Sequence, residues 1–119
     1  TVTPDRTADA LGNPGVRVLA TPFLVGLLEE AAVAALRPHL PPGAASVGTT
    51  VEMKHLAATP VGMKVRARAT LVETDGRRFL FRVEAHDEVE QVADGRHERF
   101  LVQNLEKFLD RVMKKSAKK

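Results

Sequence analysis

Hydrophobic and polar residues alternate along the second half of the chain with the period of two that is typical of β-strands. In Met63–Thr74, apolar residues occupy every second position from Val65, and arginine and threonine lie between them. Asp75-Gly76 is a hairpin-turn signal, and the alternation resumes in Phe79–Ala85. The stretch Val92 to Leu105 predicts a further strand. So does a Val- and Thr-rich segment, 46–57, that precedes all of these.

A helix-start signature precedes the most apolar stretch of the chain. Thr21-Pro22 offers a hydroxyl for the N-cap position and a proline for the first helical position. Strong helix formers fill Phe23–Leu36, and Pro38 ends the predicted helix. Because this helix is apolar nearly all round, we expect it to be buried on most sides. The adjacent carboxylates of Glu29 and Glu30 exclude a membrane span.

The order of these elements indicates an α+β fold. A short strand at Thr1–Pro4 and a polar loop at Asp5–Gly15 precede the helix, and four strands follow it, joined mostly by tight turns. Consecutive hairpins make the sheet antiparallel, and one face of it has to cover the helix. We therefore predict the hotdog architecture, one long buried helix wrapped by a curved antiparallel sheet of about five strands. A short amphipathic helix over Glu106–Met113 and a basic tail at about 114–119 complete a single domain, 1–119.

Composition narrows the possible functions. The apolar fraction of 44% and the charged fraction of 28% are those of a globular protein. The absence of cysteine excludes disulfides, thiolate metal sites and a cysteine nucleophile. Part of the net charge of +3 comes from Lys114, Lys115, Lys118 and Lys119, which are typical of a solvated tail. Without Trp or Tyr there is no stacking platform for single strands, so we expect no nucleic-acid partner. The charged residues within the apolar stretch indicate no membrane association, and the cytoplasm is the default compartment.

Three side chains are candidates for catalysis: the hydroxyl of Thr21, the carboxylate of Glu29 and the imidazole of His55. Each also has a structural interpretation, as an N-cap, a solvated acid or a surface histidine like His86. Thr21 and Glu29 are eight positions apart, which places them about 12 Å apart along one helix. They meet only if the helix of a second copy crosses on a two-fold axis, so we predict a homodimer with a shared site.

Several motifs in the same order resemble one known family. They are Ala20-Thr21-Pro22-Phe23-Leu24-Val25-Gly26-Leu27-Leu28-Glu29, Val47-Gly48-Thr49, His55-Leu56-Ala57-Ala58-Thr59-Pro60 with Gly62, Ala85-His86-Asp87, Gly95-Arg96-His97-Glu98-Arg99 and Leu105-Glu106-Lys107-Phe108. Over about Val18 to Val112 the chain resembles the fluoroacetyl-CoA thioesterase family of the hotdog thioesterase superfamily.

This resemblance implies a function and assigns roles. Thr21, Glu29 and His55 match the catalytic residues of the family, and Gly48 and Arg99 match residues that contact the substrate. The implied reaction is hydrolysis of an acyl-CoA thioester, with attack either by the threonine or by water. The implied enzyme needs no metal and no redox cofactor, because the CoA belongs to the substrate.

Two departures from the family pattern concern the acyl group. Pro22 replaces the glycine that usually follows the threonine. The segment before Thr21 contains no aromatic residue, so the phenylalanine lid associated with fluorinated substrates has no counterpart. We therefore expect a short or medium acyl-CoA as substrate. The alternative is a non-catalytic hotdog module that binds acyl-CoA or a related small ligand.

Overall fold

A computed structural model describes residues 1–117 of the chain. Within this range no helix is long and apolar enough to cross a membrane. Lys118 and Lys119, which belong to the predicted basic tail, lie outside the described residues. The helices and strands are α1 (Thr21–Leu36), β1 (Ala45–His55), β2 (Arg66–Thr74), β3 (Arg78–His86), β4 (Gln91–Val102) and α2 (Leu105–Ala117), with short 3₁₀ turns at Pro4–Arg6, Asp9–Leu11 and Arg37–His39.

The four strands form one antiparallel sheet in the order β1-β4-β3-β2. Its two edges are therefore β1 and β2. The predicted fifth strand at Thr1–Pro4 is wrong. Instead, Val2 exchanges single backbone hydrogen bonds with Gly62 and Met63, and a 3₁₀ turn begins at Pro4, whose nitrogen has no proton to donate to a strand ladder.

The inner face of the sheet packs against α1. On β3, Phe81, Val83 and Ala85 are buried and Arg82 is exposed, which confirms the predicted alternation. The helix contributes one stripe of buried side chains with a spacing of four residues, so that they share a face. These side chains belong to Leu24, Leu28, Ala32 and Leu36.

Burial of α1 on most sides was expected and is not found in the single chain. Phe23 is 36% exposed, and Gly26, Ala34 and Ala35 also lie at the surface. The reason is geometric, because a four-stranded sheet covers only one side of a helix. An apolar helix surface thus remains uncovered by the described part of the chain.

Several element ends differ from the predicted ones. β2 begins at Arg66 rather than Met63, since Met63 closes a turn by donating its N–H to the carbonyl of Pro60. β4 ends at Val102 rather than Leu105, because the Asn104 side chain accepts the N–H of Lys107 at 3.0 Å and so caps α2. α2 then runs from Leu105 to Ala117, longer than the predicted Glu106–Met113.

Candidate active site

The first candidate side chain, Thr21, is the first residue of α1 rather than its N-cap. Ala20 occupies the N-cap position with extended backbone angles, φ −73° and ψ 142°, and no side chain caps the helix there. The predicted capping role of Thr21 is therefore wrong. Its hydroxyl is available for another contact, at the end of the helix where the backbone dipole is positive.

The segment that leads into α1 is fixed against the loop that follows β1. Leu19 donates its N–H to the carbonyl of Thr59 at 2.9 Å, and Val18 forms an isolated bridge with Pro60. Thr59 is fully buried, and its hydroxyl donates to the Asp87 carboxylate at 3.0 Å. These contacts bring the start of the helix to the end of β1.

Asp87 is the acceptor that holds this arrangement together. Its carboxylate accepts the backbone N–H groups of Val89 and Glu90 at 2.8 and 2.9 Å as well as the Thr59 hydroxyl. The backbone donors of Glu90 and Val89, more than the hydroxyl, hold the pKa of Asp87 below its ordinary value. The turn between β3 and β4 is thereby tied to the loop beneath Thr21.

His55 is the last residue of β1, and its ring meets Thr21. The Thr21 hydroxyl oxygen lies 2.8 Å from Nδ1 of His55. The other ring nitrogen, Nε2, is buried and has no hydrogen-bond partner within residues 1–117. We call Thr21 and His55 the threonine–histidine pair; their contact is the geometry in which an imidazole takes a proton from a hydroxyl.

A second group of polar side chains surrounds Arg99 on the same inner face of the sheet. Arg99 is only 5% exposed. Its Nε donates to the hydroxyl of Ser46 and its Nη2 to the carbonyl of Ser46, both at 2.9 Å, and its Nη1 donates to Nε2 of His97 at 3.1 Å. Burial lowers the pKa of the Arg99 guanidinium, and the negative charge of Glu29 acts in the opposite direction.

Gly48 lies directly against this group. A Cβ atom at Gly48 would lie 3.1 Å from Cε1 of His97 and 3.3 Å from Nη1 of Arg99, so a larger residue would press on both side chains. The absence of a side chain leaves the backbone of β1 open to close approach by another molecule. We call Glu29, Ser46, Gly48, His97 and Arg99 the arginine cluster.

Within one chain the two groups lie far apart. Gly48 pairs with Arg99 across β1 and β4, whereas His55 pairs with Ala93. Ala93 and Arg99 are six positions apart in β4, a distance of about 20 Å at the rise of a strand. The structure therefore brings Thr21 to His55 and Gly48 to Arg99, and the charge of Glu29 acts on the Arg99 guanidinium without an ion pair between them among the described residues. It does not unite the two groups in a single chain.

Sequence reasoning missed Ser46 and the contact role of His97. A signal was present, because β4 places His97 and Arg99 on the same face as the buried residue Ala93. Two polar side chains at positions where the alternation predicts apolar ones indicate a buried polar group that needs partners. The sequence does not say which partners those are.

The opposite face of the sheet holds β1 in register beside Gly48. Thr49 forms a bulge there, and the carboxylate of Glu98 accepts the hydroxyls of Thr49 and Thr50 at 2.7 and 3.2 Å. Arg78 forms an ion pair with the same carboxylate. The Thr49 hydroxyl first and the Arg78 guanidinium second hold the pKa of Glu98 below its ordinary value. This clamp fixes the bulge from outside.

Among residues 1–117, no three His, Asp or Glu side chains are grouped as they are around a bound metal ion. That metals and redox cofactors are not required stays a prediction.

Comparison with known proteins identifies the class of the chain. A Thermus thermophilus protein of the thioesterase superfamily superposes with a TM-score of 0.88 at 32% sequence identity, covering 100% of this chain and 90% of that one. The four-stranded sheet and its helix are those of a hotdog-fold thioesterase. The predicted fold and the prediction of a thioester hydrolase are confirmed at this level.

The family follows from closer relatives. Residues 2–105 match the family model described as fluoroacetyl-CoA-specific thioesterase, and the chain belongs to this family. The fluoroacetyl-CoA thioesterase of Streptantibioticus cattleyicolor is 46% identical over 99 residues, which are 83% of this chain and 70% of that protein. The crystal structure of a mutant fluoroacetyl-CoA-specific thioesterase with fluoroacetate and CoA gives a TM-score of 0.89 at 42% identity, covering 96% of this chain and 93% of that one.

Proposed function

We propose that the protein hydrolyses a short or medium acyl-CoA to a carboxylate and free CoA. The observation that carries this proposal is the 2.8 Å contact between the Thr21 hydroxyl and Nδ1 of His55 at the start of α1. Membership of a thioesterase family supports the same chemistry. Attack on a thioester carbonyl requires a nucleophile, a base and donors for the oxyanion. The hydroxyl, the imidazole and the helix N-terminus supply these three groups.

The proton chemistry follows from this contact. His55 takes the proton of the Thr21 hydroxyl, or of a water that the hydroxyl holds, as oxygen bonds to the thioester carbon. The carbonyl oxygen then carries a negative charge, which the N–H groups and dipole at the start of α1 stabilise. When the carbon–sulfur bond breaks, the imidazolium returns the proton to the leaving thiolate of CoA. In the water route this transfer completes the hydrolysis. In the covalent route it leaves an acyl ester on Thr21, and His55 repeats the transfer with water, which attacks the ester carbon and releases the carboxylate and the Thr21 hydroxyl.

The complete site requires a second copy of the chain, and we propose a homodimer. If Nδ1 of His55 accepts the Thr21 proton, Nε2 carries a proton itself and needs an acceptor. That nitrogen has no partner within residues 1–117, and Glu29 of the same chain lies eight positions beyond Thr21 in α1, about 12 Å away at the rise of a helix. The Glu29 carboxylate of the partner subunit is the acceptor in our proposal, and it orients the imidazole.

The sheet edge offers a way to assemble such a dimer. β1 is an edge strand, with the arginine cluster near its first residues and His55 at its end. Antiparallel pairing of two β1 edges around a two-fold axis brings the beginning of one strand towards the end of the other. Gly48 and Arg99 of the partner subunit then border the threonine–histidine pair and contact the substrate. Two equivalent sites result.

The proposed identity of the acyl group depends on the absence of an aromatic side chain before Thr21. The curated relative and the crystal structure compared above are both named for fluoroacetyl-CoA. In this chain residues 1–20 contain no aromatic side chain that could close over a fluorinated acyl group. We therefore propose unsubstituted short or medium acyl groups, and the cytoplasm as the compartment in which acyl-CoA is met.

A panel of acyl-CoA esters with a thiol-reactive dye tests the proposal. Release of CoA from at least one short or medium ester, lost in Thr21→Ala and His55→Ala, is the expected result. Calorimetry of the same variants with a non-hydrolysable CoA thioether then separates catalysis from binding. Binding without turnover in the unmodified protein would favour the non-catalytic acyl-CoA module instead.

A further inference from the structure

The arginine cluster contains a buried histidine that the proposed chemistry does not use. His97 is fully buried, and it lies in β4 between Val51 of β1 and Phe81 of β3. It is therefore neither a surface histidine nor part of the threonine–histidine pair. Its two ring nitrogens both have partners: Nδ1 lies 2.9 Å from the carbonyl oxygen of Thr50, and Nε2 lies 3.1 Å from Nη1 of Arg99.

These two partners determine which ring nitrogen of His97 carries the proton. A carbonyl oxygen can only accept a hydrogen bond, and a guanidinium can only donate one. The ring proton of His97 must therefore lie on Nδ1, and Nε2 presents a lone pair to Arg99. A protonated imidazole would set an N–H of its own against the N–H of Arg99. His97 thus accepts from Arg99 as a neutral group.

The contacts of Arg99 leave part of its guanidinium free. Of the five N–H donors of an arginine, His97 engages one and Ser46 engages two. Among the described residues two donors have no hydrogen-bond partner, one on each terminal nitrogen, and such N–H groups of arginine bind carbonyl and carboxylate oxygens. Because Gly48 has no side chain above Nη1, this end of the guanidinium lies next to open backbone.

We propose that His97 is a positioning residue, whose neutral Nε2 holds Arg99 so that its two free N–H groups face the substrate of the shared site. This inference rests on the proposed function, in which Arg99 contacts the acyl-CoA. Ser46 fixes two further edges of the same guanidinium, so the three residues act as one support. Without the bond to His97, Nη1 loses its acceptor and Ser46 alone holds the guanidinium in place.

A matched pair of substitutions separates the two hydrogen bonds of His97. In His97→Gln the side-chain amide oxygen reaches about the place of Nε2, so an acceptor for Arg99 is kept. In His97→Asn the shorter amide can still donate to the Thr50 carbonyl, but nothing accepts from Arg99. Each variant thus keeps one bond and loses the other. Thermal melting is measured on both so that folding is compared directly.

The kinetic expectation differs between the two variants. We expect His97→Asn to raise KM by about 10-fold or more with a smaller change in kcat, since a displaced Arg99 weakens substrate binding. His97→Gln should stay within about threefold of the unmodified enzyme. A double-mutant cycle adds a second measurement: in an Arg99→Lys background, His97→Asn should cost nothing further if it acts through Arg99.

Each outcome is decisive. A KM that changes equally in both variants, or that follows only the melting temperature, would overturn the positioning role. An undiminished effect of His97→Asn in the Arg99→Lys background would overturn it too. If the unmodified protein releases CoA from no ester in the panel, the proposed function itself fails, and this role for His97 is rejected with it. If His97→Asn does not fold, His97→Gln decides, because a large rise in KM there contradicts the proposal.

Discussion

The hydroxyl oxygen of Thr21 lies 2.8 Å from Nδ1 of His55, across 34 residues of sequence. Two elements make this contact possible: the helix start, where Ala20 takes the N-cap position, and the end of β1, to which the buried Thr59 anchors the incoming segment. The hydroxyl is thus withdrawn from a local capping role and directed to an imidazole. The contact of the Thr21 hydroxyl with His55, in place of a helix cap, is the structural basis for our proposal that the pair is reactive.

Loss of either member of this pair should abolish most of the turnover. We expect Thr21→Ala and His55→Ala each to lower kcat by about 10²–10⁴-fold, the range for removal of acid–base assistance. Because Thr21 is exposed, its removal should leave the melting temperature almost unchanged. The matched controls are Thr70→Ala and His86→Ala, both at exposed strand positions. Full activity in the first two variants would exclude the proposed proton transfer.

Local sequence patterns predicted the elements but not the contacts between them. α1 was placed within one residue of its observed bounds because Pro22 and Pro38 lie near its two ends, and the inner face of β3 followed from strict alternation. The role of Thr21 as N-cap was wrong, because a competing partner 34 residues away is not visible in a local pattern. The prediction of a fifth strand at Thr1–Pro4 was wrong for a similar reason, since Val2 forms isolated backbone hydrogen bonds and not a strand ladder.

For the polar residues of the site, too, the sequence predicted the candidates but not their contacts. The sequence named Thr21, Glu29 and His55 as chemically suitable, and the spacing of the first two predicted that they could not meet within one helix. The alternation of β4 placed Arg99 on the buried face, but its partner Ser46 could not be predicted, because these hydrogen bonds form only when β1 and β4 pair. Charge alone would have placed Arg99 at the surface.

A glycine in β4 should be essential for the sheet. A Cβ at Gly95 would collide with the carbonyl oxygen of Glu52 and lie 2.8 Å from Cα of Met53, both backbone atoms of β1. We expect Gly95→Ala to destabilise the fold by about 3 kcal/mol or more, measured by denaturant unfolding. Gly26→Ala is the control: nothing lies within 4 Å of its added Cβ, so a gain of about 0.5–1 kcal/mol in helix stability is expected. Equal effects of both substitutions would contradict this.

The Glu98 clamp should make the fold sensitive to acid. Hydrogen bonds from Thr49 and the ion pair with Arg78 lower the pKa of Glu98 in the folded state below its ordinary 4.5. A depressed folded pKa means that the stabilisation is complete above the unfolded pKa and is lost as the pH falls through the folded one. Melting temperatures between pH 7 and pH 3 should therefore fall less steeply in Glu98→Gln than in the unmodified protein, although Glu98→Gln starts lower at pH 7.

An exposed carboxylate provides the control for the acid experiment. Glu90 lies in the turn between β3 and β4 with its side chain at the surface. Glu90→Gln should leave the pH dependence as it is. A pH dependence that is unchanged in Glu98→Gln would show that the clamp does not contribute to acid sensitivity.

The shared site makes a quantitative prediction about mixed dimers. Thr21→Ala removes the hydroxyl from one half-site and Glu29→Gln removes the carboxylate from the other, so each homodimer should be inactive. In a mixed dimer both lesions fall in one site, and the second site is complete. Random pairing of equal amounts makes half of the dimers mixed, each with one good site. Co-expression should therefore recover about a quarter of the unmodified activity.

A second combination shows whether this recovery has the proposed origin. Thr21 and His55 belong to the same half-site, so every site in a Thr21→Ala and His55→Ala mixture contains one lesion and no activity should return. Sedimentation should find dimers in both mixtures, which keeps assembly and catalysis separate. Recovery in neither mixture, with dimers present in both, would place Glu29 and the threonine–histidine pair of the same chain in one site. The two-fold arrangement proposed for the active site would then be wrong, although the contact between Thr21 and His55 would stand.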